Sequence, residues 1–107
     1  MNILVVDDEN TLRRTIRTTL ETQGHAVAEA ATGAQATDRV RTARPDLVLL
    51  DLKLGRENGL DVLAELHRVA PGVAACLRFG LEHQKFRSRR AGVLLWRSPD
   101  PLYGNVG

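Results

Sequence analysis

Acidic residues stand where two apolar runs end. Asp7, Asp8 and Glu9 follow Ile3-Leu4-Val5-Val6, and Asp51 follows Leu47-Val48-Leu49-Leu50. A short, continuous apolar run suits a strand buried on both faces of a parallel sheet. Ligands of such open sheets bind in the crevice beyond the carboxyl ends of the strands. If the two runs are neighbouring strands, Asp7, Asp8 and Asp51 meet in one small volume. Carboxylates crowded together raise one another's pKa, and a hard divalent cation relieves the repulsion. The chemistry to expect is an acidic pocket for Mg²⁺.

The elements that must position these acids follow from periodicity. Residues 2–6 read as the first strand. Asn10 or Glu9 opens a helix in which Leu12, Ile16 and Leu20 recur every four residues, and Gly24 stops it. His25 to Glu29 reads as a short second strand. A second helix runs from Thr32 or Gly33 to about Thr42, with Ala36 and Val40 as its sparse apolar face, and Pro45 ends it. Residues 47–50 form the third strand, and Asp51 to Asn58 read as a loop. Gly59 then precedes a third helix carrying Leu60, Val62, Leu63, Leu66 and Val69, and the Leu12/Ile16/Leu20 and Leu60/Leu63/Leu66 stripes read as core. Alternation of strand and helix argues for right-handed crossovers and a parallel sheet.

Beyond the turn at Pro71-Gly72 the pattern weakens. Val73 to Leu77 is an Ala-rich fourth strand and Gly92 to Trp96 a fifth. Residues 82–90 are polar and basic, with Phe86 as their apolar anchor. Ser98-Pro99-Asp100-Pro101 forbids regular structure, so no fifth helix is expected.

A chain of 107 residues, 43% hydrophobic and 26% charged, fits one soluble globular domain. No apolar stretch reaches membrane-spanning length, and Met1-Asn2 leads directly into the first strand, which reads as a cytoplasmic protein with no membrane contact. Cys76 is the single cysteine, so an internal disulfide and a thiolate cluster are excluded, and it reads as a small core residue. His25, His67 and His83 lack ligand spacing and read as surface residues. Residues 1–71 hold nine Lys/Arg against eleven Asp/Glu, whereas residues 72–107 hold six against two. Phe79, Phe86, Trp96 and Tyr103, all the aromatics, fall in that basic last third. With one aromatic inside Lys85 to Arg90 and no binding module, the stretch reads as solvated, with no direct nucleic acid partner.

Three separated motifs together resemble the receiver domain of two-component response regulators. They are Ile3-Leu4-Val5-Val6-Asp7-Asp8-Glu9, Asp46-Leu47-Val48-Leu49-Leu50-Asp51-Leu52-Lys53-Leu54-Gly55 and Asn58-Gly59-Leu60-Asp61-Val62-Leu63. Their form is most similar to receivers of enhancer-binding transcription activators. The resemblance covers residues 2–72 and implies an α/β, flavodoxin-like doubly wound parallel sheet of strand order 2-1-3-4-5. Here the last helix would be missing and the C-terminal third irregular. The chain reads as one receiver-like domain, 1–107, well matched over 1–72 and divergent over 73–107.

The resemblance implies that Asp51 accepts a phosphoryl group from a sensor histidine kinase. Asp7, Asp8, Asp51 and the backbone carbonyl of Lys53 would hold Mg²⁺. Such a domain is not an enzyme beyond self-phosphotransfer and self-dephosphorylation, and its output, by the same likeness transcription, would lie outside this chain. An aspartyl phosphatase would need an acid two residues after the nucleophile, where Lys53 stands. The family also places Ser or Thr at the end of the fourth strand and Lys at the end of the fifth. Leu77-Arg78-Phe79-Gly80 and Arg97-Ser98-Pro99 offer neither.

That departure leaves a degenerate receiver, binding partners without phosphorylation, as the alternative function. The tail itself is explained by natural divergence, by truncation or a frame shift, or by an artificial origin, and the abrupt change in charge and aromatic content favours truncation or a frame shift. In the family the fourth helix, fifth strand and fifth helix form the dimer face. Its incompleteness here, with an apolar patch around Trp96, would favour a homodimer or an aberrant oligomer.

Overall fold

Each strand of the main sheet grows from an apolar run too short for a helix, and each helix from a stripe repeating every three or four residues. The computed structural model describes residues 1–78 in full, together with the backbone of Phe79 and of residues 92–97. The elements are β1 (Asn2–Val6), α1 (Asn10–Thr22), β2 (Ala26–Ala30), α2 (Gly33–Thr42), β3 (Leu47–Asp51), β4 (Lys53–Leu54), β5 (Glu57–Asn58), α3 (Gly59–Val69), β6 (Ala74–Phe79) and β7 (Gly92–Arg97). The main sheet has the order β2-β1-β3-β6-β7, and β4 and β5 form a separate two-stranded ribbon.

The flavodoxin-like order expected from the sequence is therefore present, and β2, β1, β3 and β6 run parallel. Two expectations about the strands are corrected. β7 pairs antiparallel with β6, Ala74 opposite Arg97 and Phe79 opposite Gly92, so the last strand reverses the sheet's direction. An apolar run fixes burial but carries no direction, which is why Gly92 to Trp96 reads equally well either way. Residues 51–58, expected to be loop, contain the β4–β5 ribbon, in which Lys53 pairs with Asn58 and Leu54 with Glu57. Gly55, at φ +61°, makes its tight turn.

Because the parallel crossovers are right-handed, α1 lies on one face of the sheet and α2 and α3 on the other. Leu4, Val6, Val48, Leu50, Ala75 and Leu77 form the second face and pack with Ala36, Val40, Val62, Leu63 and Leu66 in one core cluster. Leu54 of the ribbon joins that cluster, whereas Leu60 is 52% exposed and lies outside the core stripe expected for it. The opposite face carries the rows Ile3-Leu47-Ala74 and Val5-Leu49-Cys76. Ile3 and Val5 are buried there, but Leu47, Leu49, Ala74 and Cys76 are only half-buried. Helix α1 has no buried residue: Leu12, Ile16 and Leu20, expected as core, are half-buried. His25 and His67 are half-buried too, not the surface residues expected. Three regions singled out in the sequence lie outside the described residues: the basic stretch 82–90 with His83, the segment after Arg97 and the side chain of Trp96.

Local signals fix where the helices begin. The Thr32 side chain accepts from the Gln35 N–H at 3.1 Å while the Gln35 side chain accepts from the Ala31 N–H at 2.8 Å, a reciprocal cap on α2. The Gly33 N–H donates to Glu57 Oε1 at 2.8 Å, so the ribbon supplies an acid to the positive end of α2. Asn58 caps α3 by accepting from the Leu60 N–H at 2.8 Å.

Candidate functional site

The pairing of β1 with β3 brings the two acidic strand ends together. Val6 stands beside Leu50 in the parallel register, so Asp7 and Asp8 leave the sheet next to Asp51. One carboxylate oxygen from each of Asp7, Asp8 and Asp51 lies within 4.8 Å of the others. Asp7 and Asp51 are buried, at 1% and 8% exposure, and Asp8 is exposed to solvent. Glu9, one of the two residues expected to open α1, is its exposed N-cap, without a side-chain cap bond.

Backbone donors hold the two buried acids in place. Asp7 Oδ1 accepts from the Glu9 N–H at 2.9 Å, and Asp51 Oδ1 accepts from the Lys53 N–H at 3.3 Å. The Lys53 side chain is exposed. Beneath Asp51, α3 approaches as closely as backbone allows. The Gly59 N–H donates to the Leu52 carbonyl at 2.6 Å, and a Cβ on Gly59 would strike the Asp51 carbonyl and the Leu52 backbone. Gly59 thus lets α3 begin directly against the strand end that carries Asp51. Gly55 lies over the other side of the cluster, where a Cβ would stand 3.5 Å from Asp8 Oδ2.

One residue of the site is missed by motif reading. Arg78, the penultimate residue of β6, stands at the level of Asp51, its partner in register. Its guanidinium donates to Asp7 Oδ2 and lies 3.6 Å from Asp51 Oδ2. The signal was present in the sequence: a lone cation at the carboxyl end of the strand next to β3. Read only as the absence of a hydroxyl, it gave no ion pair.

Burial is the largest influence on Asp51 and pushes its carboxyl above the usual carboxylate range. The Lys53 N–H and Arg78 pull it down, and Asp7 and Asp8 push it up further. The donor set suits Mg²⁺, being hard oxygen throughout and concentrated at one point. A groove of about 640 Å³ between α2 and α3, lined by Thr37, Arg41 and Asp61 among others, shares no residue with this cluster. The cluster, where side chains of opposite charge converge beyond the strand ends, is the place with chemistry.

Residues 3–86 match the family described as response regulator receiver domain. The chain belongs to the response regulator receiver domain family. The match reaches beyond residue 72, the limit expected from motifs, and takes in β6 with Arg78. This receiver is 49% identical over 69 residues to the alginate biosynthesis transcriptional regulatory protein AlgB of Pseudomonas syringae pv. tomato. That similarity covers 64% of this chain but 15% of AlgB, so the chain spans a small part of the relative's length. A CheY-like receiver domain protein from Methanospirillum hungatei superposes with a TM-score of 0.70 at 30% identity, covering 79% of this chain and 70% of that one. A response regulator from Burkholderia pseudomallei, solved with a phosphorylated aspartic acid, a calcium ion and citrate, superposes with a TM-score of 0.69 at 29% identity. That likeness covers 74% of this chain and 46% of that chain.

Proposed function

We propose that this receiver accepts a phosphoryl group on Asp51 from the phosphohistidine of a sensor histidine kinase, in a Mg²⁺-dependent transfer that regulates transcription. The observation that carries the reading is the Asp51 carboxylate, buried at the end of β3 with oxygens of Asp7 and Asp8 within 4.8 Å. The phosphorylated aspartate and calcium of the Burkholderia relative support it by likeness, and the name of AlgB supports a transcriptional output.

The roles of the residues follow from their contacts. Asp51 Oδ1 is engaged by the Lys53 N–H, which fixes the rotation of the carboxylate. Asp51 Oδ2 accepts no hydrogen bond among the described residues, and Arg78 stands 3.6 Å away, so this oxygen is the one free to attack. It forms the new P–O bond as the P–N bond of the donor breaks, and the electron pair leaves with the imidazole. Asp7, Asp8, Asp51 and the Lys53 carbonyl would hold Mg²⁺, which supplies the positive charge that lets anionic phosphoryl oxygens approach three carboxylates. Gly59 keeps the Asp51 backbone in register with α3.

Incubating the chain with acetyl phosphate and Mg²⁺ should add one phosphoryl mass to the intact protein, and Asp51→Asn should abolish it. Labelling that persists in Asp51→Asn overturns the assignment. The contact of Arg78 with Asp7, which compensates the charge of one of the three acids, favours one second reading: a phosphorylation-independent binding module within the same chain, 1–107. That reading predicts partner binding unchanged by phosphodonor. Under either reading the edge strand β7 is where a second copy would associate, and a concentration-independent monomer in light scattering contradicts that association.

A further inference from the structure

We propose that Arg78 is the resident counter-ion of the acidic pocket and that a divalent cation must displace it from Asp7 to bind. The inference rests on reading Asp7, Asp8 and Asp51 as a divalent cation site. Both oxygens of Asp7 are already in use, Oδ1 by the Glu9 N–H and Oδ2 by Arg78. The Asp7 side chain is 2% exposed and that of Arg78 17%, so water screens the pair weakly. Arg78 also lies 3.6 Å from Asp51 Oδ2, which places its charge between the two buried acids.

Three carboxylates and one guanidinium leave the pocket with two net negative charges, and removing the guanidinium leaves three. A dication entering the intact pocket meets a like charge at close range and a carboxylate whose charge is already compensated. The parallel register fixes the arrangement, because Arg78 pairs with Asp51 and its carbonyl accepts from the Leu52 N–H at 2.7 Å. The backbone that carries the cation is therefore tied to the backbone that carries the acceptor. Upon displacement only the side chain needs to move. Glutamine in its place keeps polar character and loses the charge, whereas lysine keeps a charge without the planar fork.

Titration of Mg²⁺ alone into the full chain by calorimetry tests the idea. Arg78→Gln should bind Mg²⁺ on the order of tenfold more tightly than the natural chain, and Arg78→Lys should fall between them. Equal or weaker binding by a folded Arg78→Gln overturns the proposal while leaving the cation site intact. Absence of Mg²⁺ binding in every variant overturns the cation reading itself, and this proposal with it. If Arg78→Gln does not fold, the natural chain decides. Its Arg78 guanidinium ¹⁵N resonances should shift on saturation with Mg²⁺, and resonances that stay in their paired positions overturn the displacement.

Discussion

The two faces of the central sheet are held by different forces. On the α2/α3 side, Leu4, Val6, Val48, Leu50, Ala75 and Leu77 are all at most 2% exposed and belong to one apolar cluster. On the α1 side, Ile3 and Val5 are buried, yet Leu47, Leu49 and Cys76 are half-buried, as is the Leu12/Ile16/Leu20 stripe of α1. Charge contributes more there. Glu29 of β2 accepts from Arg13 Nε and Arg17 Nη1 of α1, each at 2.7 Å. The acidic cluster therefore stands on a foundation that is firm on one side and loosely covered on the other. Asp51 extends a strand whose alternate residues belong to each.

The largest effect should come from cutting the same side chain on each face. Leu50→Ala removes a side chain with no exposure and should cost about 2–5 kcal/mol. Leu49→Ala, one residue away on the half-covered face, should cost about 1 kcal/mol, because less apolar area leaves water when it folds. Urea denaturation of both variants measures the difference. Equal losses would mean that the α1 face is as closed as the other, and the comparison would collapse.

Much of this arrangement was legible in the sequence, and the illegible parts have physical causes. β1 and β3 announce themselves because strands buried on both faces need unbroken apolar runs, and their acidic ends follow directly. The parallel sheet came with the βαβ alternation, and the order of the strands with the family likeness alone. The β4–β5 ribbon was hidden because two-residue strands such as Lys53-Leu54 and Glu57-Asn58 carry no period. Leu60 stands three residues before Leu63, but the buried face of α3 runs through Gly59, Val62, Leu63 and Leu66, and Leu60 falls to one side of it. The link between Glu57 and Gly33, and that between Arg78 and Asp7, join residues 24 and 71 positions apart. Neither pair has a spacing rule that a linear reading can use.

A smaller effect should sharpen the comparison through pH. Hydrogen bonds from Arg17 and Arg13 hold the Glu29 carboxyl below the usual range, against the opposing effect of burial. A carboxyl whose folded pKa is depressed stabilises the fold above its unfolded pKa, and that stability fades as pH falls through the folded value. Glu29→Gln should therefore lower the melting temperature at pH 7, and the deficit should shrink as pH falls below the ordinary glutamate range and vanish once the folded carboxyl is protonated. The partners are part-exposed, with 43% of the Arg17 side chain accessible, so added salt should shrink the effect. A deficit that is constant across pH would assign Glu29 a packing role and remove the electrostatic half of the contrast.

The smallest effect touches stability least and tests access most directly. Cys76 occupies the row Val5-Leu49-Cys76 on the half-covered face, and it is half-buried itself. Its neighbours in sequence, Ala75 and Leu77, point to the closed face and are 0% and 2% exposed. A thiol on the α1 side should accordingly react with a maleimide in the folded chain, since reagent needs only a local fluctuation of α1 to reach it. Burial pushes the thiol pKa up, which lowers the thiolate fraction at neutral pH and slows the reaction relative to a free cysteine peptide. Labelling followed by mass spectrometry should show slow but complete modification under native conditions, accelerated by high salt as the Arg13/Arg17–Glu29 pairs weaken. A rate that follows only global unfolding, measured across low urea concentrations, would place Cys76 within a core as tight as the one beneath α2 and α3. In that case α1 would be held by more than its half-buried stripe and its ion pairs.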